Sequence, residues 1–119
     1  AAEPLLRASG AARAIFLTTG RVVRPKAFWG AYAASKAGME ALVRCWADEV
    51  ENTAIRAVLL DPSTMRTRMR AEAYPGEDPL TLPEPSEIAP LVVQLAQADL
   101  GQPTAAVVFN DWKAAGGKL

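Results

Sequence analysis

Apolar and polar positions fall in blocks along this chain, and the block lengths set the elements. Ala14-Ile-Phe-Leu-Thr-Thr19 is a short, nearly continuous apolar run that reads as a buried strand. Ile55 to Leu60 and Ala105 to Phe109 are two more runs of that kind. The strongest helical periodicity runs from Gly30 to about Asn52. There Met39, Leu42, Val43, Trp46 and Val50 share one face, and Glu40–Arg44 and Arg44–Asp48 are i,i+4 pairs. Shorter helices are predicted at 64–73 and from Pro85 to about Asp99, the latter with Ser86 as N-cap. Pro90 falls in the first turns of that helix and leaves its start open. Pro4 to Gly10 reads as the last turns of a helix closed by a C-cap glycine. Residues 20–29 and the proline-rich stretch Tyr74 to Pro85 are loops, and the glycine-rich tail Lys113 to Leu119 is expected to be loose.

Strand, helix, strand, helix, strand implies right-handed crossovers and a parallel sheet, hence an α/β fold. Three strands are few, and the first of them is expected to present an open apolar edge. The chain also opens on the tail of a helix, with Ala1 rather than Met. Both features read as a piece of a longer protein or a truncated gene product, so residues 1–119 are expected to form one partial domain.

Composition narrows the chemistry by exclusion. Lys plus Arg and Asp plus Glu number 13 each, so there is no basic excess to suggest a nucleic-acid partner. The single Cys45 excludes an internal disulfide and reads as inert helix packing; without histidine the usual zinc ligand set is missing, so no metal is expected. No apolar run approaches the ~18 residues of a membrane span, no secretory signal is recognisable, and the composition suits a reducing cytoplasm.

Candidate chemistry centres on Tyr32-Ala-Ala-Ser-Lys36, with Thr19 thirteen positions before the tyrosine. A free tyrosine titrates near ~10 and is a poor acid or base at neutral pH. A lysine at i+4 shares its helix face, and its cation favours the phenolate, as does the positive end of the helix macrodipole near Gly30. Such a phenol can exchange a proton with an alcohol or carbonyl oxygen.

Three motifs together resemble the C-terminal half of a short-chain dehydrogenase/reductase. Thr18-Thr19-Gly20 closes a strand where that family has a Ser-Ser or Thr-Ser pair. Ala31-Tyr32-Ala-Ala-Ser-Lys36-Ala-Gly resembles its Tyr-x-x-x-Lys segment, and Asp61-Pro62-Ser-Thr-Met-Arg-Thr67 its Pro-Gly-x-x-x-Thr segment. The resemblance implies the C-terminal part of a Rossmann-like, doubly wound parallel sheet, with about three strands and flanking helices. It implies a small alcohol or carbonyl substrate and hydride transfer to or from NAD or NADP. Tyr32 would be the general acid/base, and Lys36 would tune it and bind the nicotinamide ribose. Thr19 would hydrogen-bond the substrate oxygen. Pro62, Ser63, Thr64, Met65 and Thr67 would line the nicotinamide. The helix 30–52 would pack against its copy in a homo-oligomer, with Trp46 and Val50 as anchors.

Departures from the pattern matter as much. Thr19 adds a β-methyl that stiffens χ1, and a strand-end threonine without a role is the plain alternative. Ser63 stands where the family has glycine, which is strained if that backbone needs positive φ. No Gly-x-x-x-Gly-x-Gly turn is present to take a pyrophosphate, nor the family's Asn-rich segment or the asparagine of its catalytic tetrad. The chain is therefore expected to hold half an active site and to be inactive alone. A rival reading makes it a non-catalytic remnant serving as a dimerisation or interaction module. Phe28, Trp29, Met65, Met69 and Tyr74 form either an apolar substrate wall or ordinary packing. The loop 74–85 is either a lid hinged at Gly76 or a plain surface loop. Arg66, Arg68 and Arg70 either meet an acidic ligand or form a solvated face.

Overall fold

The computed structural model describes residues 2–119 and has the expected α/β architecture. In chain order the elements are α1 (Glu3–Ala8), β1 (Arg13–Leu17), α2 (Gly30–Glu49), β2 (Arg56–Asp61), α3 (Arg68–Ala73), α4 (Ala89–Gln97), β3 (Thr104–Val108) and α5 (Phe109–Ala114). Short 3-10 turns at Pro79–Thr81 and Pro85–Ile88 lead into α4. The three strands are parallel in the order β1-β2-β3, with Ile15 opposite Val58 and Leu60 opposite Val107.

The central strand explains the layers. Its side chains alternate between faces, as a strand's must. Ala57 and Leu59 pack on one face with Val43 and Ala47 of α2. Val58 and Leu60 pack on the other with Leu91 and Leu95 of α4, and with Phe109 and Met65. Helices thus cover both faces, and β2 needs an unbroken apolar sequence rather than an alternating one. Ala12, Val50 and Ile55 close the base of the α2 layer.

Several local expectations are corrected. α1 ends on Ser9 in an extended conformation, and Gly10 is not among the positive-φ residues, so it is no left-handed cap. Leu42 is 73% exposed, because the buried stripe of α2 runs through Ala33, Glu40, Val43 and Ala47. Arg44 reaches back to Glu40, at 2.8 Å. Val50 is 1% exposed and Trp46 packs on Phe16 while donating to Glu3, so neither is a free interface anchor. Cys45 is exposed rather than packed. Ser86 does not cap: Glu84 does, in a reciprocal capping box with Glu87. The expected loose tail instead begins with α5, whose Trp112 stacks on buried Phe109 and donates to Gln94. Gln94 in turn donates to the Gly117 carbonyl. Among the described residues no helix is long and apolar enough to cross a membrane.

Candidate active site

Parallel strands end together, and the loops that leave them must share one edge of the sheet. A cleft of about 820 Å³ opens there, in the size range of small-molecule sites. Its walls are the segments leaving the three strands: Thr19 to Arg24 after β1, Asp61 to Met65 after β2, and Asn110 and Asp111 after β3. A crevice at the carboxyl ends of parallel strands is where open α/β sheets bind ligands.

β1 is extended by one ladder bond, from the Thr18 amide to the Leu60 carbonyl (2.9 Å), and the chain then turns. Val22 donates to the Thr19 carbonyl and Arg24 to the Gly20 carbonyl, a single helical turn. Gly20 permits the close approach, since a Cβ there would meet Asp61 Oδ2 at 3.3 Å. Thr19 Oγ1 accepts from the Arg21 amide (3.3 Å), which leaves its own proton free to donate. Beside it, Thr18 Oγ1 donates to Glu40 Oε1, and Arg44 holds Glu40 Oε2. Glu40 is the one buried charged side chain among the described residues, and this network ties α2 to the strand end that carries Thr19.

Tyr32 sits in the first turn of α2, half-buried, and lines the cleft with Thr19. Among the described residues its hydroxyl has no hydrogen-bond partner. Its ring meets Trp29 edge-on at 5.4 Å. Lys36 is not on the cleft wall: its Nζ donates to the Leu17 carbonyl (2.9 Å), two residues before Thr19. The i+4 spacing therefore places the ammonium against the β1 terminus behind Tyr32, with no hydrogen bond between the two side chains.

Pro62, Ser63, Thr64, Met65 and Thr67 all line the cleft. Ser63 has φ +62°, so the strain foreseen for a residue replacing glycine is present. Two bonds hold it: Ser63 N–H donates to Asp61 Oδ1 (2.8 Å), and Ser63 Oγ accepts from the Asn110 amide (3.2 Å). Met65 is 8% exposed and gives its side chain mostly to the core. Thr67 is the N-cap of α3, its oxygen accepting from the Arg70 amide.

An aromatic wall closes one side. Trp29 stacks on Tyr74 (6.1 Å, 20° between planes), and the Arg70 guanidinium lies 3.6 Å from the centre of the Tyr74 ring. Partial desolvation pushes the Tyr74 phenol up. The nearby Lys26, with Arg70 and Arg21, outweighs it, and the group lies below its ordinary value of 10.0. Met69 joins this wall, whereas Phe28, at φ +69°, is fully exposed and takes no part in it. Each arginine of the 66–70 cluster is satisfied by a carboxylate: Arg66 by Glu84, Arg68 by Glu72 and Arg70 by Glu77. The cluster is accordingly no open anion site. Arg21, Arg24, Asn110 and Asp111 are cleft residues that the sequence pattern did not single out, although Arg21-x-x-Arg24 follows Thr19-Gly20 directly.

A family model described as short chain dehydrogenase matches residues 1–78. The uncharacterised oxidoreductase YciK of Escherichia coli strain K12 is 40% identical over 96 residues, which are 81% of this chain and 38% of that protein. A short chain dehydrogenase from Salmonella enterica serovar Typhi CT18 superposes with a TM-score of 0.80 at 36% identity, over 88% of this chain and 44% of that one. One from Escherichia coli CFT073, in complex with NADPH, superposes at 0.79 and 36%, over 87% and 44%. The chain thus spans about two fifths of the length of these relatives.

Proposed function

The chain belongs to the short-chain dehydrogenase family, and from that membership we propose that it forms the proton-transferring, substrate-facing part of a nicotinamide-dependent oxidoreductase acting on a small alcohol or carbonyl compound. The observation that carries this reading is that two hydroxyls line the same cleft: Thr19 with a proton free to donate, and Tyr32 with no hydrogen-bond partner among the described residues. A carbonyl oxygen placed between them receives one hydrogen bond from Thr19 and a proton from Tyr32. In the reverse direction Tyr32 accepts the alcohol proton. Lys36, held at the Leu17 carbonyl, keeps a cation behind the proton-transferring ring and offers remaining donors to a ribose. This assigns the substrate oxygen to Thr19 and Tyr32, and the cofactor to Tyr32, Lys36, Pro62, Ser63, Thr64, Met65 and Thr67.

The residues present fit one end of such a cofactor. The segment from Pro62 to Met65 lines the cleft with the apolar Ile88 and Val92, a lining that suits a nicotinamide ring. No glycine-rich turn occurs in the 119 residues to receive a pyrophosphate. We therefore take residues 1–119 as a partial catalytic domain, corresponding to the C-terminal half of the fold, whose nucleotide-binding half lies outside this sequence. NAD or NADP, when bound, supplies the hydride chemistry. The NADPH held by the Escherichia coli CFT073 relative supports a nicotinamide without choosing between the two. A homo-oligomer formed through α2 belongs to the same proposal, with exposed Leu42 on the face offered.

Two measurements test the reading. Calorimetry of the 119-residue chain with NAD and NADP should show no tight binding; micromolar affinity would mean that the chain builds a whole site by itself. In the complete enzyme, Tyr32→Phe should lower turnover by about 10²-fold or more with an unchanged circular dichroism spectrum. A near-normal rate would remove Tyr32 from proton transfer.

A further inference from the structure

The loop that follows Thr19 carries three cations in six residues, Arg21, Arg24 and Lys26. The helical turn begun at Thr19 sets Arg21 and Arg24 three residues apart, on the same side, and both line the cleft. Among the described residues neither guanidinium has a carboxylate within 4.0 Å, while the other arginine of the cleft, Arg70, is consumed by a bidentate pair with Glu77 (2.7 and 2.8 Å). Lys26 stands 5.5 Å from the Tyr74 ring at the same mouth. Neither carboxylate of the cleft, Asp61 or Asp111, forms an ion pair with them. Asp61 lies beside Gly20 but accepts from the Ser63 amide, and Asp111 comes from α5.

Unpaired guanidinium groups beside a pair of reactive hydroxyls favour a ligand with a compensating charge. A guanidinium offers a planar fork that a carboxylate fills with two parallel bonds. Resting on the oxidoreductase reading, we propose that the substrate of this site is a carbonyl or hydroxy compound bearing a carboxylate, which Arg21 and Arg24 hold while Thr19 and Tyr32 address the carbonyl or hydroxyl oxygen. The cations near Tyr74 that depress its phenol extend the same positive field to the cleft mouth.

The test uses binding, which does not depend on turnover. Amide-detected NMR titrations of the chain with levulinate and with the neutral ketone 2-pentanone compare a carboxylate with its absence. Levulinate should bind about tenfold tighter, with shifts centred on Thr19 to Trp29, and Arg21→Gln/Arg24→Gln should erase that advantage while leaving 2-pentanone unchanged. Equal affinities, or an advantage that survives the double substitution, would overturn the proposal. Inorganic phosphate and NADP form the second arm. If the double substitution weakens these and not levulinate, the arginines serve the cofactor and the substrate assignment falls. The oxidoreductase reading stands or falls on the Tyr32→Phe rate instead, so the two can fail separately.

Discussion

Two non-glycine residues among the described ones hold a backbone that side chains avoid, Phe28 at φ +69° in the loop after β1 and Ser63 at φ +62° on the cleft. Left-handed backbone costs a non-glycine residue about 1–2 kcal/mol. Phe28 gains nothing visible in return, since its ring is in solvent. Ser63 is offset by the Asn110 amide on its hydroxyl and by the Asp61 carboxylate on its own amide. Its two terms can be separated. Ser63→Gly and Ser63→Ala both lose the hydroxyl, but only alanine keeps the Cβ in the left-handed region. The glycine variant should therefore be the more stable by about 1 kcal/mol in urea denaturation. Against wild type, glycine should come within about 1 kcal/mol, because a partly exposed hydrogen bond is worth no more than the strain removed. If alanine equals glycine, the backbone at 63 is not strained in solution. The sequence could flag this position because a glycine was expected there. It could not flag Phe28, where no motif set a backbone requirement.

At the scale of elements, the site depends on how α2 meets the end of β1. Apolar packing through Val43 and Ala47 sets the layer, but the contact nearest Thr19 is polar: Thr18 to Glu40 to Arg44. Arg44 is largely exposed, so its charge loses little if Glu40 goes; the half-buried Thr18 hydroxyl loses its acceptor. Glu40→Ala should lower stability by about 1–3 kcal/mol, and Glu40→Gln by less than half of that, because an amide oxygen still accepts from Thr18. Equal losses for the two variants would show that charge, not the acceptor, joins the elements. Glu40 also shows where the sequence was legible and where it was not. The strands, the long helix and the parallel order followed from run length and periodicity, since buried β2 must be apolar on both faces. Thr19 and Tyr32, singled out by a strand end and by spacing along one helix, both line the cleft. The buried stripe of α2 was not legible, because two alanines and an ion-paired glutamate gave a weaker period than Leu42 and Trp46 suggested. α5 was missed because six residues carry too little period to stand against a glycine-rich context. The unpaired state of Arg21 and Arg24 depends on where every carboxylate ends up, and that is a property of the tertiary fold.

The whole molecule is a thin slab of 48 × 32 × 24 Å, with a radius of gyration of 15.6 Å against about 13.5 Å for a compact chain of this length. One three-stranded sheet cannot bury every element, and neither α1 nor α3 contributes a buried residue. Ion pairs hold what the core does not. Glu3 pairs with Arg7 and accepts from Trp46, Glu77 grips Arg70, and Glu87 joins Lys113 to the turn before α4. All three carboxylates lie below their ordinary value of 4.5: Glu3 through Arg7 and then Trp46, Glu77 through Arg70, and Glu87 through Lys113 and then the Glu84 amide. A carboxylate depressed by folding stabilises the native state fully above its unfolded pKa. Below about pH 4.5 the unfolded chain takes up protons first, and the contribution is lost as pH falls through each native value. Acid should therefore loosen the periphery while the sheet persists. The tryptophans report on it, since Trp46 contacts Glu3, Trp29 stacks on the Tyr74–Arg70 face, and Trp112 adjoins Lys113. Tryptophan fluorescence should change on titration below pH 4.5 before the far-ultraviolet circular dichroism does. The urea midpoint should fall between pH 5 and 3 in the wild type, and by a little less in Glu3→Gln/Glu77→Gln/Glu87→Gln, because these exposed pairs are screened by solvent. An identical pH slope in the triple variant would mean that these pairs do not hold the edges of the slab, and that the apolar contacts of the two faces alone set its response to acid.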